Sequence, residues 1–192
     1  SHQILFPLAS GPVDAPPAVL SYAVPASSSF FAPEDRTTVE SATARLVVRP
    51  IPAALAARLG SGPTAENIRV QWQVPNQRLS AGVPVTVELV ITGIGNVTLW
   101  PSPDVEWSPR VRVYAEPTGE RIWRTAGLVG GEKRFRYTLV VDSAGVLTLP
   151  RVRYPYFDPG PVAVRVAMAP PLGVAVLPAG QGADRTPIAA RS

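Results

Sequence analysis

Residues Ile68-Arg69-Val70-Gln71-Trp72-Gln73-Val74 carry an apolar side chain at every second position, the pattern of a β-strand with one face buried. Val83 to Ile91 continues in kind, with Val85, Val87, Leu89 and Ile91 inward and Thr86, Glu88 and Thr92 outward. Further strands are expected around Val97–Trp100, Val111–Tyr114, Arg121–Thr125, Arg134–Val141, Val146–Tyr154, Val162–Ala169 and Leu172–Leu177. Between them stand ten of the 23 prolines and nine of the 15 glycines, which interrupt helices and supply turns. Many short strands at close intervals, in 192 residues that are 46% hydrophobic, imply an all-β fold. The expected architecture is an immunoglobulin-like β-sandwich of about 100 residues with something more besides.

An internal repeat divides the chain. Tyr137 to Pro150, followed by Val152 and Tyr154, is echoed by Ile4 to Pro16, followed by Val19 and Tyr22. In both copies a strand reaches a glycine, Gly145 or Gly11, and meets proline five residues later. Each copy closes on a valine-rich strand, Val174–Leu177 or Arg45–Val48. Residues 1–50 therefore read as the C-terminal strands of a module whose beginning lies outside this chain, and 66–178 as a complete module. Residues 51–65, Ala/Leu-rich between Pro50 and the 60–63 turn, read as a linker with at most one helical turn. From 179 to 192 periodicity is lost and a tail is expected. A truncated sandwich exposes strand edges, so residues 3–50 are expected to pair with another copy or with the complete module.

Composition narrows the chemistry. There is no cysteine, which excludes disulfides, thiol nucleophiles and cysteine-ligated metals. The one histidine, His2, lies at the N-terminal end, removing most acid–base schemes centred on imidazole. The net charge of +4 comes from 17 arginines, one lysine (Lys133) and 14 acids; the Arg, Ala and Pro bias reads as the mark of a GC-rich bacterial genome. No window of about 18 uninterrupted apolar residues occurs, and the chain starts without a signal peptide, so it reads as an excised soluble piece.

Several motifs have a plain structural explanation. Gly93-Ile94-Gly95-Asn96 lacks the third glycine and following helix of a phosphate loop, and reads as a turn or bulge in which Gly and Asn supply positive φ. Asn96-Val97-Thr98 matches a glycosylation sequon by coincidence. Asp104, Glu106, Glu116, Glu120 and Asp142 are candidate acids, but as turn and surface residues they define no catalytic pair. Clustered acids for calcium are lacking.

Two sets of residues are candidates for an interaction surface. Arg110 with Arg112, Arg134 with Arg136, and Arg151 with Arg153 are two apart, each pair on one face of its strand. Neighbouring strands would align them into a basic stripe for an anionic membrane surface or acidic partner; the competing reading is an ordinary solvated face. Trp100, Trp107 and Trp123, with Tyr114, could form an aromatic platform for a sugar or peptide, against core or rim packing. Trp72 points inward. Without a recognition helix or aromatic-interleaved basic motif, nucleic acid is not an expected partner.

Gly93-Ile94-Gly95-Asn96, then Pro101 and Pro103, then Phe135-Arg136-Tyr137 with Gly145, Leu149-Pro150 and Tyr156-Phe157-Asp158 resemble the BatD-like bacterial aerotolerance (oxygen tolerance) family. The resemblance covers about residues 40–178, including the Val48-Arg49-Pro50-Ile51-Pro52 joint. It implies a membrane-anchored protein whose tandem immunoglobulin-like domains face the periplasm or cell exterior, with a transmembrane helix beyond this fragment. It also implies an envelope complex with von Willebrand-type domain proteins and a MoxR-class ATPase. The family carries no established catalytic residues. The expected function is thus a non-enzymatic protein–protein interaction module without cofactor or metal, the alternative being an immunoglobulin-like module that binds carbohydrate or cell-wall polymer.

Overall fold

A computed structural model describes residues 4–25, 34–75 and 78–180. The described residues are all-β with one short α-helix, and they divide into a small unit, Leu5–Pro52, and a larger one made of Ile4 and the residues from Ala53 onward.

The small unit contains β1 (Gly11–Ala15), β2 (Val19–Pro25), β3 (Glu34–Glu40) and β4 (Ala44–Val48). β1 pairs antiparallel with β4, and β2 with β3. The larger unit opens with α1 (Ala53–Leu59), followed by β5 (Ala65–Gln73), β6 (Arg78–Ser80) and β7 (Val85–Gly95). A 3-10 turn, Val97–Leu99, leads to β8 (Val111–Ala115), β9 (Gly119–Thr125) and β10 (Leu128–Val141). The chain then forms β11 (Gly145–Leu149), β12 (Val152–Asp158), β13 (Ala163–Ala169) and β14 (Leu172–Leu177).

One sheet of the larger unit runs β5-β7-β10-β8, with β9 also on β10; the others are β11-β14-β6 and β12-β13. Side chains at alternate positions of all three meet in one core. Ile68, Val70 and Trp72 of β5 join Val87, Leu89 and Ile91 of β7 and Phe135, Tyr137 and Leu139 of β10. Facing them are Leu147, Leu149, Val152, Tyr154, Val174 and Val176. This is the sandwich that period-two alternation requires.

The repeat is visible as geometry. β1–β4 and β11–β14 are both five-pair ladders that start on a glycine, Gly11 opposite Val48 and Gly145 opposite Val176. Both glycines have positive φ, 123° and 138°, a conformation that favours a residue without Cβ. Nested inside are two seven-pair hairpins, β2–β3 and β12–β13. The connectors differ by one residue: 16–18 and 41–43 in the first copy against 150–151 and 170–171 in the second. One extra residue exchanges the faces of the strand that follows. The apolar set of the first hairpin therefore falls on Leu20, Tyr22 and Val39, one position later in the ladder. Coverage differs as well. Leu147 and Val174, opposite one another, are 7% and 3% exposed, whereas the equivalent pair Val13 and Leu46 is 38% and 48% exposed.

Four expectations require correction. Residues 53–64 are part of the larger unit rather than a free linker: α1 lies against β12 and β13, Leu59 is buried, and Phe157 N–H donates to Pro63 O at 2.9 Å. Val97–Trp100 is a 3-10 turn, not a strand, closed by Leu99 N–H on Asn96 O at 3.0 Å. Val146–Tyr154 is two strands in two sheets, because Pro150, with no N–H to give a ladder, separates β11 from β12. Finally, Gly93-Ile94-Gly95 continues β7, and the irregularity lies across from it in β5, between Glu66 and Arg69, where Asn67 has φ 55°. The tail expected from 179 lies outside the described residues beyond 180.

Candidate interaction face

The outer face of the five-stranded sheet collects charge. On β10, Glu132, Arg134, Arg136 and Thr138 alternate with Lys133, Phe135, Tyr137 and Leu139, so the strand's own period directs the first set away from the core. Arg134 donates to Glu132 Oε1 and to Glu88 Oε2, both at 2.6 Å, and to Gln73 Oε1 at 3.2 Å. Arg136 donates to the second Glu88 oxygen at 3.0 Å. Thr138 donates to Glu116. The arrangement is a ladder of opposite charges across β7 and β10, where the arginine spacing alone left a basic stripe and an ordinary solvated face as the two readings.

Arg112 of β8 sits opposite Val140, on the same face, and pairs with Asp142 at 2.7 Å. Arg110 occupies the turn before β8. Arg151 precedes β12, and Arg153 lies in β12 opposite Met168, on another sheet. The structure thus brings Arg112, Arg134 and Arg136 together and places Arg110, Arg151 and Arg153 elsewhere. Arg121 of β9, opposite Glu132, joins the face instead. With Gly119, Glu120, Glu132, Arg134 and Arg136 it lines a shallow cavity of about 320 Å³.

Glu88 is the hub. Desolvation pushes its carboxyl up, but hydrogen bonds from Arg134 and Arg136, reinforced by their charge, outweigh this and hold it below the ordinary carboxylate range. A depressed carboxyl stabilises the fold above its unfolded-state pKa, and that contribution is lost as pH falls through the folded value. Glu88→Gln should therefore lower the melting temperature at neutral pH and flatten its decline below about pH 4.5, near the carboxyl's unfolded-state value. Parallel melting curves for both proteins from neutral pH down through the carboxylate range would refute this.

The tryptophans do not share a surface. Trp100 is sealed at 2% exposure, while Trp123 is 42% exposed on β9. Trp107 stands against Trp72 and Tyr137, with ring centroids 5.6 and 5.0 Å away. Trp72 donates its indole N–H to Pro150 O at 2.9 Å. The Trp123 ring lies over Gly130, where a Cβ would come within 2.8 Å of its Nε1. Tyr114 is exposed on β8, apart from the core aromatics.

A buried ion pair was not anticipated. Lys133 projects into the interior from β10, and its ammonium donates to Thr98 O at 2.8 Å and Trp100 O at 2.9 Å and lies 3.2 Å from Glu120 Oε1. Thr98 Oγ1 in turn donates to Glu120 Oε2 at 3.2 Å. Three donors meet three acceptors, which is what a buried ammonium needs. The signal was present in the sequence: Lys133 occupies an inward position of an alternating strand, two before Phe135.

Of the remaining acids, Glu116 is held by Thr138 and Asp142 by Arg112, while Asp104 and Glu106 are exposed in the loop before β8. Among the described residues no group of three or more His, Cys, Asp or Glu is placed to share a metal ion, and no helix is long and apolar enough to cross a membrane. No protein-family model matches the chain, and no curated protein does. A functional reading therefore stands on the charged face, the repeat and the residues themselves.

Proposed function

We propose that this chain is a non-catalytic protein–protein interaction segment of a BatD-like, membrane-anchored bacterial protein, with immunoglobulin-like modules facing the periplasm or cell exterior. The observation that carries the proposal is the duplicated four-strand unit, with five-pair and seven-pair ladders in both copies. Tandem copies of one sandwich element support a scaffold, whose work is to present surfaces. The polar partners found for Glu88, Glu116, Glu120 and Asp142 agree with structural roles for the acids. The family resemblance supports the envelope setting, the anchor and a von Willebrand-type partner.

The outer face of the five-stranded sheet is the docking surface in this reading. Arg69, Arg121 and Arg136 are exposed there beside the Arg134–Glu88 pair, so an acidic patch on the partner fits. The carbohydrate alternative needs aromatic rings on one surface, and the dispersal of Trp100, Trp107 and Trp123 gives it no support. Biolayer interferometry of the chain against the von Willebrand-type domain protein of the same genome tests the proposal. Saturable binding is expected, weakened at least about tenfold by Arg121→Glu with Arg136→Glu and falling with added salt. Absence of binding by the natural chain would remove the partner assignment; binding indifferent to both changes would remove the face.

A further inference from the structure

One strand edge of the larger unit has no strand beside it. β9 has β10 on one side, is exposed along nearly its whole length and contains no proline; its three charges, Glu120, Arg121 and Arg124, are of both signs, so they bar like-charged registers and admit a complementary one. Its turn is Ala126-Gly127, with φ of 49° and 80°, both positive as a two-residue hairpin requires. In such a hairpin the pair flanking the turn exchanges backbone hydrogen bonds and every second pair follows. Thr125, Trp123 and Arg121 therefore bond to β10, while the N–H and C=O groups of Arg124, Ile122 and Glu120 point outward.

We propose that this edge pairs antiparallel with the same edge of a second copy, about a two-fold axis at Ile122. Five two-fold registers use the outward groups, centred on residues 120 to 124; centring on Arg121 sets like charges together, and centring on Trp123 sets Ile122 against Arg124 and leaves no cation opposite Glu120. Centring on Glu120 sets two carboxylates against each other, and centring on Arg124 sets two guanidiniums against each other; both are unfavourable. Centring on Ile122 puts it against the partner's Ile122, Glu120 against the partner's Arg124, and Arg121 against the partner's Trp123. Opposite charges then meet on one face, and a guanidinium meets an indole on the other. The symmetry supplies every contact twice except the central one. Glu120 is already fixed by Lys133 and Thr98, so its carboxylate is positioned before the second copy arrives. Arg121 is shared with the docking face, whereas Ile122 and Arg124 lie on the other side of β9 and serve this contact alone, so the two surfaces can be tested apart.

Sedimentation velocity across a concentration series tests the pairing, with a dimer dissociation constant on the order of 10 μM expected for a small, symmetric contact. Arg124→Glu replaces the attraction with repulsion, and Ile122→Pro removes an outward N–H without touching the β10 ladder. Each should weaken association at least about tenfold with unchanged melting temperature. The chain has no cysteine, so Ile122→Cys should oxidise to a disulfide dimer, since facing Cα atoms of about 5.5 Å are within disulfide reach. Tyr114→Cys on β8 should stay reduced. A natural chain that remains monomeric throughout would overturn the proposal. So would a dimer indifferent to both substitutions, which would assign association to another surface such as the Val13–Leu46 face.

Discussion

Lys133→Ala is expected to destabilise the larger unit by about 3 kcal/mol, because it leaves the Thr98 and Trp100 carbonyls and the Glu120 carboxylate without their shared donor. For a unit of this size that corresponds to a melting temperature lower by on the order of 10 °C. The value sits at the low end for a broken buried pair because the Glu120 side chain is 28% exposed and water can reach it. Lys133→Met refills the volume but restores no donor, and should recover only about 1 kcal/mol of the loss. Glu120→Gln keeps an acceptor for the ammonium and should cost less than either. Urea unfolding of the three variants decides the matter; an alanine variant within about 0.5 kcal/mol of the natural chain would show that the clamp contributes nothing.

Trp72→Ala should cost still more, about 3–5 kcal/mol. The ring is 9% exposed, contacts Trp107 and Tyr137, and bonds the carbonyl of Pro150, the point where the chain leaves one sheet for another. Trp72→Phe keeps most of the apolar area and loses the hydrogen bond, so about 1–2 kcal/mol is expected. The difference between the two variants separates packing from the bond to Pro150. If phenylalanine proved as damaging as alanine, the hydrogen bond rather than the packed ring would be the main contribution.

Much of the fold is legible because period two is a local property. Val70, Trp72, Val87, Leu89 and Ile91 declare their face through their immediate neighbours, and the structure buries all five. The repeat is equally legible, since Gly11 and Gly145 mark the start of a ladder and a proline marks its end. What failed depends on distant partners. The 3-10 turn at Val97–Leu99 takes its shape beside Lys133, more than thirty residues away. The apolar run Val146–Tyr154 conceals a change of sheet, because both halves face the same core and only Pro150 signals the break. Arginine spacing placed Arg134 and Arg136 on one face correctly but could not reveal Glu88, 46 residues from Arg134. The strand and its outward face were thus legible in the arginines, and their acidic partners were not.

The sealed position of Lys133 has a practical consequence for probing the molecule. It is the chain's sole lysine, and an ammonium held by two carbonyls and a carboxylate is shielded from acylating reagents. The folded protein should thus offer amine-reactive dyes its terminal amine and little else, giving a nearly uniform single-site conjugate. A second label would appear only when β10 opens, so the extent of acylation against time would count unfolding events one molecule at a time.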